Sequence, residues 1–533
     1  MLGKKKLRLK KITLHPITTF ILLTVFVMLL SSIFSFLQIQ STYSRISNSG
    51  SLENVVVATE GLFNFEGFKY LISSAAKNFV SFTPLSTLLI GLIGLSIAHA
   101  SGLIDTFIKK GTLKINNKIL TFIIIFIATI SSIINDVGYV ILIPLSALIF
   151  LANGRNPLLG ITASFCGVAF GYGVTLFAGS SEINLIQYTE KSARLIDSGF
   201  HVSLLSNLFV IIVSTVVVSI VGTYIIENVV SKRIGRYRLS SSNELESSET
   251  KEIKIEAVEI EQQKRLEAEA KEKKGLRLAF ISFVLFVLLF IYMLIPGLPA
   301  SGLLLDTNER IYINQLFGEN SYFQDGFTFL ISMMFLIMGC AYAIGAKTIK
   351  SDKELIEKAS VYLKDVGYLC ALIFFAAQFI AIFKKSNIGN VILAFLANLI
   401  RGLPFSGLPL VITILVLIAL SGLVVTTQTA KWSVLAPSIV PLLMQNNVSP
   451  QFAQFIFRAG DSMMKGFTPF LAYFVIYLGY LNVYNTEKKP ISIRKALYYV
   501  YPYCLIISIT WILIVSLIYI IGIPIGPGVS PIL

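Results

Sequence analysis

The segment Thr426-Thr-Gln-Thr-Ala-Lys-Trp-Ser-Val-Leu-Ala-Pro437 places polar side chains between two apolar runs. Its threonines, its amide, Lys431 and Trp432 lie where the flanking sequence predicts helices at membrane depth. Polar groups and helix breakers are tolerated at that depth when protein buries them or when they line a cavity. The segment therefore indicates either a binding site inside a membrane protein or a turn at the membrane surface, with Trp432 and Lys431 anchored among the headgroups.

The composition of the whole chain favours the membrane interpretation. Of the 533 residues, 55% are hydrophobic and only 14% are charged, whereas a soluble chain has about 25% charged residues. The charges are also concentrated, because residues 231–275 contain 11 Lys/Arg and 10 Asp/Glu. Apolar stretches of roughly 20 residues separate the charged regions, which is enough for a helix to cross a bilayer. We predict a polytopic protein embedded in the lipid bilayer.

The net charge of +15 is explained by basic residues that flank the predicted membrane segments, and it does not require a nucleic-acid-binding surface. Six basic residues lie within residues 4–11, ahead of the first apolar segment, and the loops 106–118 and 231–277 are also basic. The positive-inside rule places the N-terminus and these loops in the cytoplasm. The acidic loop 297–325 and the segment 40–83 are predicted to lie outside. We expect no nucleic-acid partner.

Several classes of soluble chemistry are not indicated by the sequence. The four cysteines lie in apolar runs without the spacing of metal ligands or of a disulfide framework. No Walker A sequence, nucleophile elbow, zinc-protease motif or dinucleotide fingerprint occurs in a supporting context. We therefore expect a protein that is not an enzyme and that needs no cofactor.

An internal repeat appears when residues 142–177 are laid over residues 435–470 at a fixed offset of 293. Eight of the 36 aligned positions are identical, and most of them are Pro, Gly or Thr, which set backbone shape. Paired interrupted segments in the two halves of a chain are a pointer to a transporter binding site. A chance similarity between two apolar segments is the alternative.

Besides Lys431, four charged residues lie in or beside these interrupted segments. Arg458 and Asp461 are three residues apart, so a helix would place them on one face, where they can pair. Arg458 is shaped to grip a carboxylate, and Asp461 can bind Na⁺ or carry a proton; the alternative is a structural ion pair. Glu182 follows a Gly-Ser turn and is either a site residue or solvated at the membrane edge. Asp136 either caps a helix beginning at Val137 or binds a cation.

The sequence resembles the AbgT family, the p-aminobenzoyl-glutamate transporters. The matching stretches are HPITTFILL from His15, IAHASGLI at 97–104, NDVGYVILIPLSALIF at 135–150, GRNPLLG at 154–160, KWSVLAP at 431–437 and FRAGDSMMKGFTPFLAYF at 457–474. They extend from the first apolar segment to the penultimate one.

The resemblance implies an all-α polytopic membrane protein, with about nine transmembrane helices and two re-entrant helical hairpins near 157–190 and 408–446. We expect an inverted-topology repeat, with a first half at 1–230, a charged linker at 231–275 and a second half at 276–533. The resemblance further implies a homodimer, and we expect it to lie in the bacterial inner (plasma) membrane.

The implied activity is ion-gradient-driven transport of p-aminobenzoyl-glutamate-like folate breakdown products, with export of sulfonamide antimetabolites in some members. The partner would be an aromatic, glutamate-bearing anion, and the coupling ion Na⁺ or H⁺ at Asp461 or Asp136. We predict no metal site other than Na⁺ at Asp461. The expected substrate-binding residues are Glu182, Thr427, Gln428, Thr429, Trp432, Pro437, Arg458, Asp461 and Pro469.

The sequence departs from the family pattern at three places. Thr426-Thr-Gln-Thr replaces the usual Gly-Ser-Ala-Ser, Gly422 replaces a common asparagine, and His99 replaces a usual glutamate. The first change makes the tip of the predicted second hairpin bulkier and more polar, which would favour a different substrate. Another organic anion such as a dicarboxylate, or a non-transporting sensor or scaffold that signals through 231–275, is the alternative.

Overall fold

The structure is a computed structural model of the 533-residue chain. It describes residues 14–47, 50–112, 115–131, 136–176, 179–237, 255–318 and 321–533, and at 181 and 255–265 it describes the backbone alone. The N-terminal basic cluster and residues 238–254 of the charged linker lie outside the described residues.

The described chain is mostly helical. The elements of the first half are α1 (Pro16–Phe36), β1 (Gln40–Ile46), β2 (Leu52–Ala58), α2 (Phe65–Ser73), α3 (Ala75–Val80), α4 (Thr83–Ala100), α5 (Leu103–Phe107), α6 (Asn117–Ile130), α7 (Val137–Ala152), α8 (Pro157–Ala169), α9 (Ser180–Ala193), α10 (Leu208–Ile225) and α11 (Ser231–Ile234). The elements that follow are α12 (Ile255–Leu294), α13 (Tyr312–Phe317), α14 (Tyr322–Ala346), α15 (Asp352–Tyr362), α16 (Val366–Lys385), α17 (Ile388–Arg401), α18 (Gly407–Ser421), α19 (Gln428–Gln445), α20 (Pro450–Met464), α21 (Phe474–Val483) and α22 (Ile493–Ile521).

Among the described residues, seven helical segments are long and apolar enough to cross a membrane. Shorter apolar helices, including α7, α8, α18 and α21, supplement them. The long segments are Pro16–Phe36, Thr83–Ala100, Leu208–Ile234, Leu266–Leu294, Tyr322–Ala346, Val366–Lys385 and Ile493–Ile521. This pattern is that of a multi-pass membrane protein.

The prediction of an all-α fold is corrected by a two-stranded antiparallel sheet. β1 and β2 pair from Gln40 opposite Ala58 to Ile46 opposite Leu52. β1 packs against α17 and α19, and the Asn398 side-chain amide donates a hydrogen bond of 2.7 Å to the Thr42 carbonyl oxygen. A two-stranded hairpin is marginal in water, so packing on the helices stabilises it, and the local sequence alone does not reveal that support.

Helix ends in the two interrupted regions follow the same offset of 293 as the sequence repeat. α7 ends at Ala152 and α19 at Gln445, while α8 and α20 begin with Pro157 and Pro450 at their first position. Proline suits that position because its missing N–H would be unpaired anyway. The residue before each proline caps its helix: Asn156 accepts from Leu158 N–H, and Ser449 accepts from Phe452 N–H. Whether the two regions have inverted topology stays a prediction.

Each of the two predicted hairpin regions contains two helices with a break between them, and whether these form re-entrant hairpins stays a prediction. α8 and α9 flank residues 170–179, and α18 and α19 flank residues 422–427. The predicted boundary between linker and second half at 275/276 falls inside α12, a continuous 40-residue helix. Residues 255–275, which are rich in charged side chains, therefore form the first part of α12. The remainder of the same helix is apolar.

α4 and α14 approach closely at Gly94. The Gly94 N–H donates to the Ser332 hydroxyl at 3.0 Å, and that hydroxyl donates to the Ile90 carbonyl oxygen at 2.6 Å. A Cβ on Gly94 would clash with the Ser332 backbone carbonyl. Small residues allow such backbone approach between helices in membranes.

We predict that Gly94→Ala destabilises the protein by about 1–3 kcal/mol, since the α4–α14 contact has no room for a methyl group. Gly326→Ala in α14 is the matched control, because a Cβ there meets no neighbour within 4 Å. The measurement is the thermal unfolding midpoint in detergent. Equal midpoints for both variants would contradict the close approach.

Candidate functional site

Two helices that begin inside the protein form the centre of the candidate site. α9 begins at Ser180 and α19 at Gln428, and the two helices pack against each other. The preceding residues, Gly179 and Thr427, have extended backbone and provide no side-chain cap. The first N–H groups of a helix can then face a ligand, and the helix dipole favours negative charge there.

A cavity of about 380 Å³, here called the polar pocket, lies at these two helix N-termini. Four of the predicted residues, Asp136, Thr427, Gln428 and Thr429, line it directly. The other lining residues are Thr83, Tyr172, Ser180, Asn184, Gln324, Lys384, Thr426, Lys465, Leu471, Ala472 and Tyr473. This volume is in the range of small-molecule sites.

Behind the pocket, a buried chain of polar side chains links α9, α19 and α20. Arg458 forms an ion pair with Glu182, and both side chains are at most 3% exposed. The Gln454 amide donates to the other Glu182 oxygen at 2.7 Å, and the Thr189 hydroxyl donates to Gln454 Oε1 at 2.6 Å. Trp432 Nε1 donates to Thr189 Oγ1 at 2.9 Å. Each of these groups thereby has a partner, as burial demands.

A second group of charges connects this interior to the polar pocket. Lys431 forms an ion pair with Asp461, and the Lys465 ammonium lies 3.8 Å from the other Asp461 oxygen. The same ammonium lies 3.2 Å from the centre of the Tyr172 ring, and the Tyr172 hydroxyl donates to Asp136. Two ammonium groups therefore face the Asp461 carboxylate, which is the predicted cation site.

The sequence-predicted pairing of Arg458 with Asp461 is wrong for the described structure. Although both lie on α20, Arg458 pairs with Glu182 and Asp461 with the two lysines. The reason is charge balance: an Arg458–Asp461 pair would leave Glu182 and Lys431 buried without partners, at considerable cost. Asp136 precedes α7 as predicted, but its side chain makes no capping hydrogen bond.

The remaining predicted residues lie away from the polar pocket lining. Trp432 is fully buried and stacks on Phe457, with ring centroids 4.4 Å apart. Pro437 lies inside α19 and lines a different cavity, and Pro469 follows α20 among partly exposed residues. The face of Trp432 is thus already occupied by a protein ring.

Sequence reasoning missed five contributors: Tyr172, Thr189, Gln454, Phe457 and Lys465. Two of these residues could have been identified from their positions in the sequence. Lys465 is a charge four residues after Asp461 in an apolar context, and Gln454 lies four residues before Arg458, on the same helix face. The others are ordinary residue types in apolar helices, so only the fold identifies them.

A family model for the AbgT putative transporter family matches residues 10–533. The chain belongs to the AbgT transporter family. A curated relative, the p-aminobenzoyl-glutamate transport protein of Escherichia coli (strain K12), is 29% identical over 519 residues, covering 97% of this chain and 94% of the relative.

Two solved structures are similar to this AbgT-family chain. The YdaH transporter of Alcanivorax borkumensis is 25% identical, with 96% of this chain and 100% of that chain covered and a TM-score of 0.47. MtrF of Neisseria gonorrhoeae, described as one of a class of antimetabolite efflux pumps, is 27% identical, with 97% and 98% covered and a TM-score of 0.47.

We predict that Arg458→Met alone destabilises the protein by about 3–5 kcal/mol, because it leaves the Glu182 carboxylate buried without its cation. The double variant Glu182→Leu/Arg458→Met should recover most of that loss. Thermal unfolding in detergent measures both, with Lys77→Gln at an exposed position as the control. A single variant as stable as the parent would exclude the ion pair as a structural element.

Proposed function

We propose that this chain is an ion-coupled secondary transporter of p-aminobenzoyl-glutamate-like anions, with sulfonamide antimetabolites as a second substrate class. The observation that carries the proposal is a set of three cations and three carboxylates that line the polar pocket or lie beneath it, five of which are buried. These are Lys431, Arg458, Lys465, Asp136, Glu182 and Asp461. Ionisable groups inside a membrane protein are costly, and substrate and ion pathways are the usual reason for keeping them.

The proposed binding reaction is an exchange of carboxylates. Arg458 is held by Glu182 in this structure, so a substrate carboxylate must compete with Glu182 for the guanidinium. Lys384 and Lys465 both line the polar pocket; Lys384 is exposed, and Lys465 is the buried cation that an entering anion would meet deeper in the pocket. Thr427, Gln428 and Thr429 at the start of α19 would supply hydrogen bonds. Stacking of the substrate ring on Trp432 requires that Trp432 leave Phe457.

Asp461 is the proposed link between substrate binding and the ion gradient, with Asp136 as the second candidate. Its carboxylate faces Lys431 and Lys465. An anion that draws Lys465 towards itself would leave the Asp461 charge less compensated and ready to take up Na⁺ or H⁺. Substrate binding and cation binding would therefore favour each other.

The proposed architecture is the one that the family resemblance implies. It comprises about nine transmembrane helices, two re-entrant hairpins, inverted repeats and a homodimer in the bacterial inner membrane with a cytoplasmic N-terminus. The offset of 293 that the ends of α7 and α8 share with those of α19 and α20 supports the repeat, and the breaks within α8–α9 and α18–α19 support the hairpins. The N-terminal basic residues that motivate the orientation lie outside the described residues.

The proposed activity is tested by flux of labelled p-aminobenzoyl-glutamate into and out of proteoliposomes, with separate Na⁺ and H⁺ gradients. The substrate panel includes a sulfonamide and a plain dicarboxylate. We expect gradient-dependent flux of p-aminobenzoyl-glutamate. Flux of the dicarboxylate without flux of p-aminobenzoyl-glutamate would show that the substrate belongs to the alternative class of organic anions. No flux of any substrate, with an output that depends on 231–275, would favour a sensor.

We predict that Asp461→Asn abolishes the response of flux to the gradient while substrate-driven exchange persists at a reduced rate. The neutral amide cannot bind a proton or attract Na⁺ as the carboxylate does. The measurement compares exchange with gradient-driven flux in the same vesicles. Unchanged gradient-driven flux would exclude Asp461 from coupling.

We predict that Glu182→Gln tightens binding of p-aminobenzoyl-glutamate by about tenfold, because the competing carboxylate is removed from Arg458; this corresponds to ~1.4 kcal/mol. Equilibrium binding of labelled substrate to purified protein measures the change, with Arg458→Lys as the comparison. Weaker binding by Glu182→Gln would show that Glu182 contacts the substrate rather than competes with it.

A further inference from the structure

A second cavity, of about 260 Å³, is lined by residues of β1, α9 and α19. We call it the second pocket. It is lined by Tyr43, Arg45, Ile46, Tyr188, Lys191, Ser192, Ser433 and Pro437. It takes residues from the sheet as well as from the two helices whose N-termini border the polar pocket.

Both charged residues that line the second pocket are cationic. Arg45 and Lys191 are exposed, and neither is a member of an ion pair between the residues that the structure describes. Glu53 is opposite Arg45 in the β1–β2 ladder, but it does not line the cavity. An anion entering this space therefore meets two positive charges and no lining carboxylate.

The uncharged walls of the second pocket suit an aromatic ring. Tyr43 and Tyr188 are both half-buried and line the cavity with Pro437. Tyrosine rings offer flat apolar faces together with a hydroxyl for hydrogen bonding, and a guanidinium can bind a carboxylate through two parallel hydrogen bonds. The chemistry that fits is an aromatic ring carrying one or more carboxylates.

The second pocket lies one helical turn further along the same two helices than the polar pocket. On α9 the lining residues change from Asn184 to Tyr188, and on α19 from Thr429 to Ser433. Four residues correspond to a rise of about 6 Å. The hydrogen bond of 2.9 Å from Trp432 to Thr189 joins α9 and α19 at the level of the second pocket. This buried contact directly adjoins the second-pocket residues Tyr188 and Ser433 in the sequence, one turn beyond the polar-pocket residues.

We propose that the second pocket is a recognition site for carboxylated aromatic anions, placed on the transport path on the far side of the Trp432–Thr189 contact. This proposal rests on the proposed transport function and adds a second substrate site to it. A ligand held by Arg45 and Lys191 would pass to the polar pocket when Trp432 and Thr189 separate. The β1–β2 segment, predicted to lie outside, would place this site towards the outer face.

The first test is protection of a reporter cysteine, and it does not require transport. Ser433 is half-buried and lines the second pocket, and its hydroxyl donates only to the Ala430 carbonyl oxygen. In the Ser433→Cys protein we expect p-aminobenzoyl-glutamate to slow alkylation by a maleimide by at least about threefold. The parent protein gives the background from its four native cysteines.

The decisive comparison adds Arg45→Gln and Lys191→Gln to the reporter protein. We expect this pair to remove the protection, and Arg45→Lys with native Lys191 to keep it. Lys77→Gln, an exposed lysine outside both pockets, is the matched control. Protection that survives the loss of both cations would overturn the proposal, and so would equal loss of protection in the Lys77→Gln control.

The second test is the kinetics of exchange in proteoliposomes. The double variant Arg45→Gln/Lys191→Gln should raise KM by roughly threefold to tenfold and change the maximal rate by less than about twofold. An unchanged KM would overturn the recognition role. If the Ser433→Cys protein shows protection without any flux, the proposed transport function fails while the binding site stands. If it shows flux without protection, the binding site fails alone.

Discussion

The ionised side chains packed between α9, α19 and α20 each need an opposite charge beside them, because the apolar surroundings cannot solvate them. Glu182 and Arg458 meet this need for each other, and Asp461 does so with two lysines. This compensation constrains the rest of the fold. The helices that carry these residues have to meet at one place, with side chains of matched charge, before any of them can be buried.

Breaks in the helices bring these charges together. α9 and α19 begin within the protein, so their polar N-terminal residues surround a cavity rather than a bilayer surface. The hydrogen bonds from Trp432 through Thr189 and Gln454 to Glu182 then tie the two helices to α20. The same contacts that stabilise the interior must loosen if a ligand is to reach Arg458. Stability and transport would therefore depend on the same few bonds.

Sequence reasoning located much of this arrangement because charges and prolines in apolar runs are conspicuous. Asp136, Glu182, Arg458 and Asp461 were identified on that basis, and so were the broken segments. The partners were not predictable, since Glu182 and Arg458 are 276 residues apart and helix periodicity favoured the local neighbour, Asp461. The sheet was missed for a similar reason, as its support comes from α17 and α19 rather than from its own sequence.

The distance along the chain between Glu182 and Arg458 also has a consequence for biosynthesis. At about 5–20 residues per second, the ribosome adds the intervening 276 residues over roughly 14–55 s. During that interval the first helix pair, α8 and α9, is complete, but its carboxylate has no cation. Until α20 emerges, the Glu182 carboxyl of the nascent α9 must therefore either stay in contact with water or take up a proton. Insertion of the first half is then completed by a helix of the second.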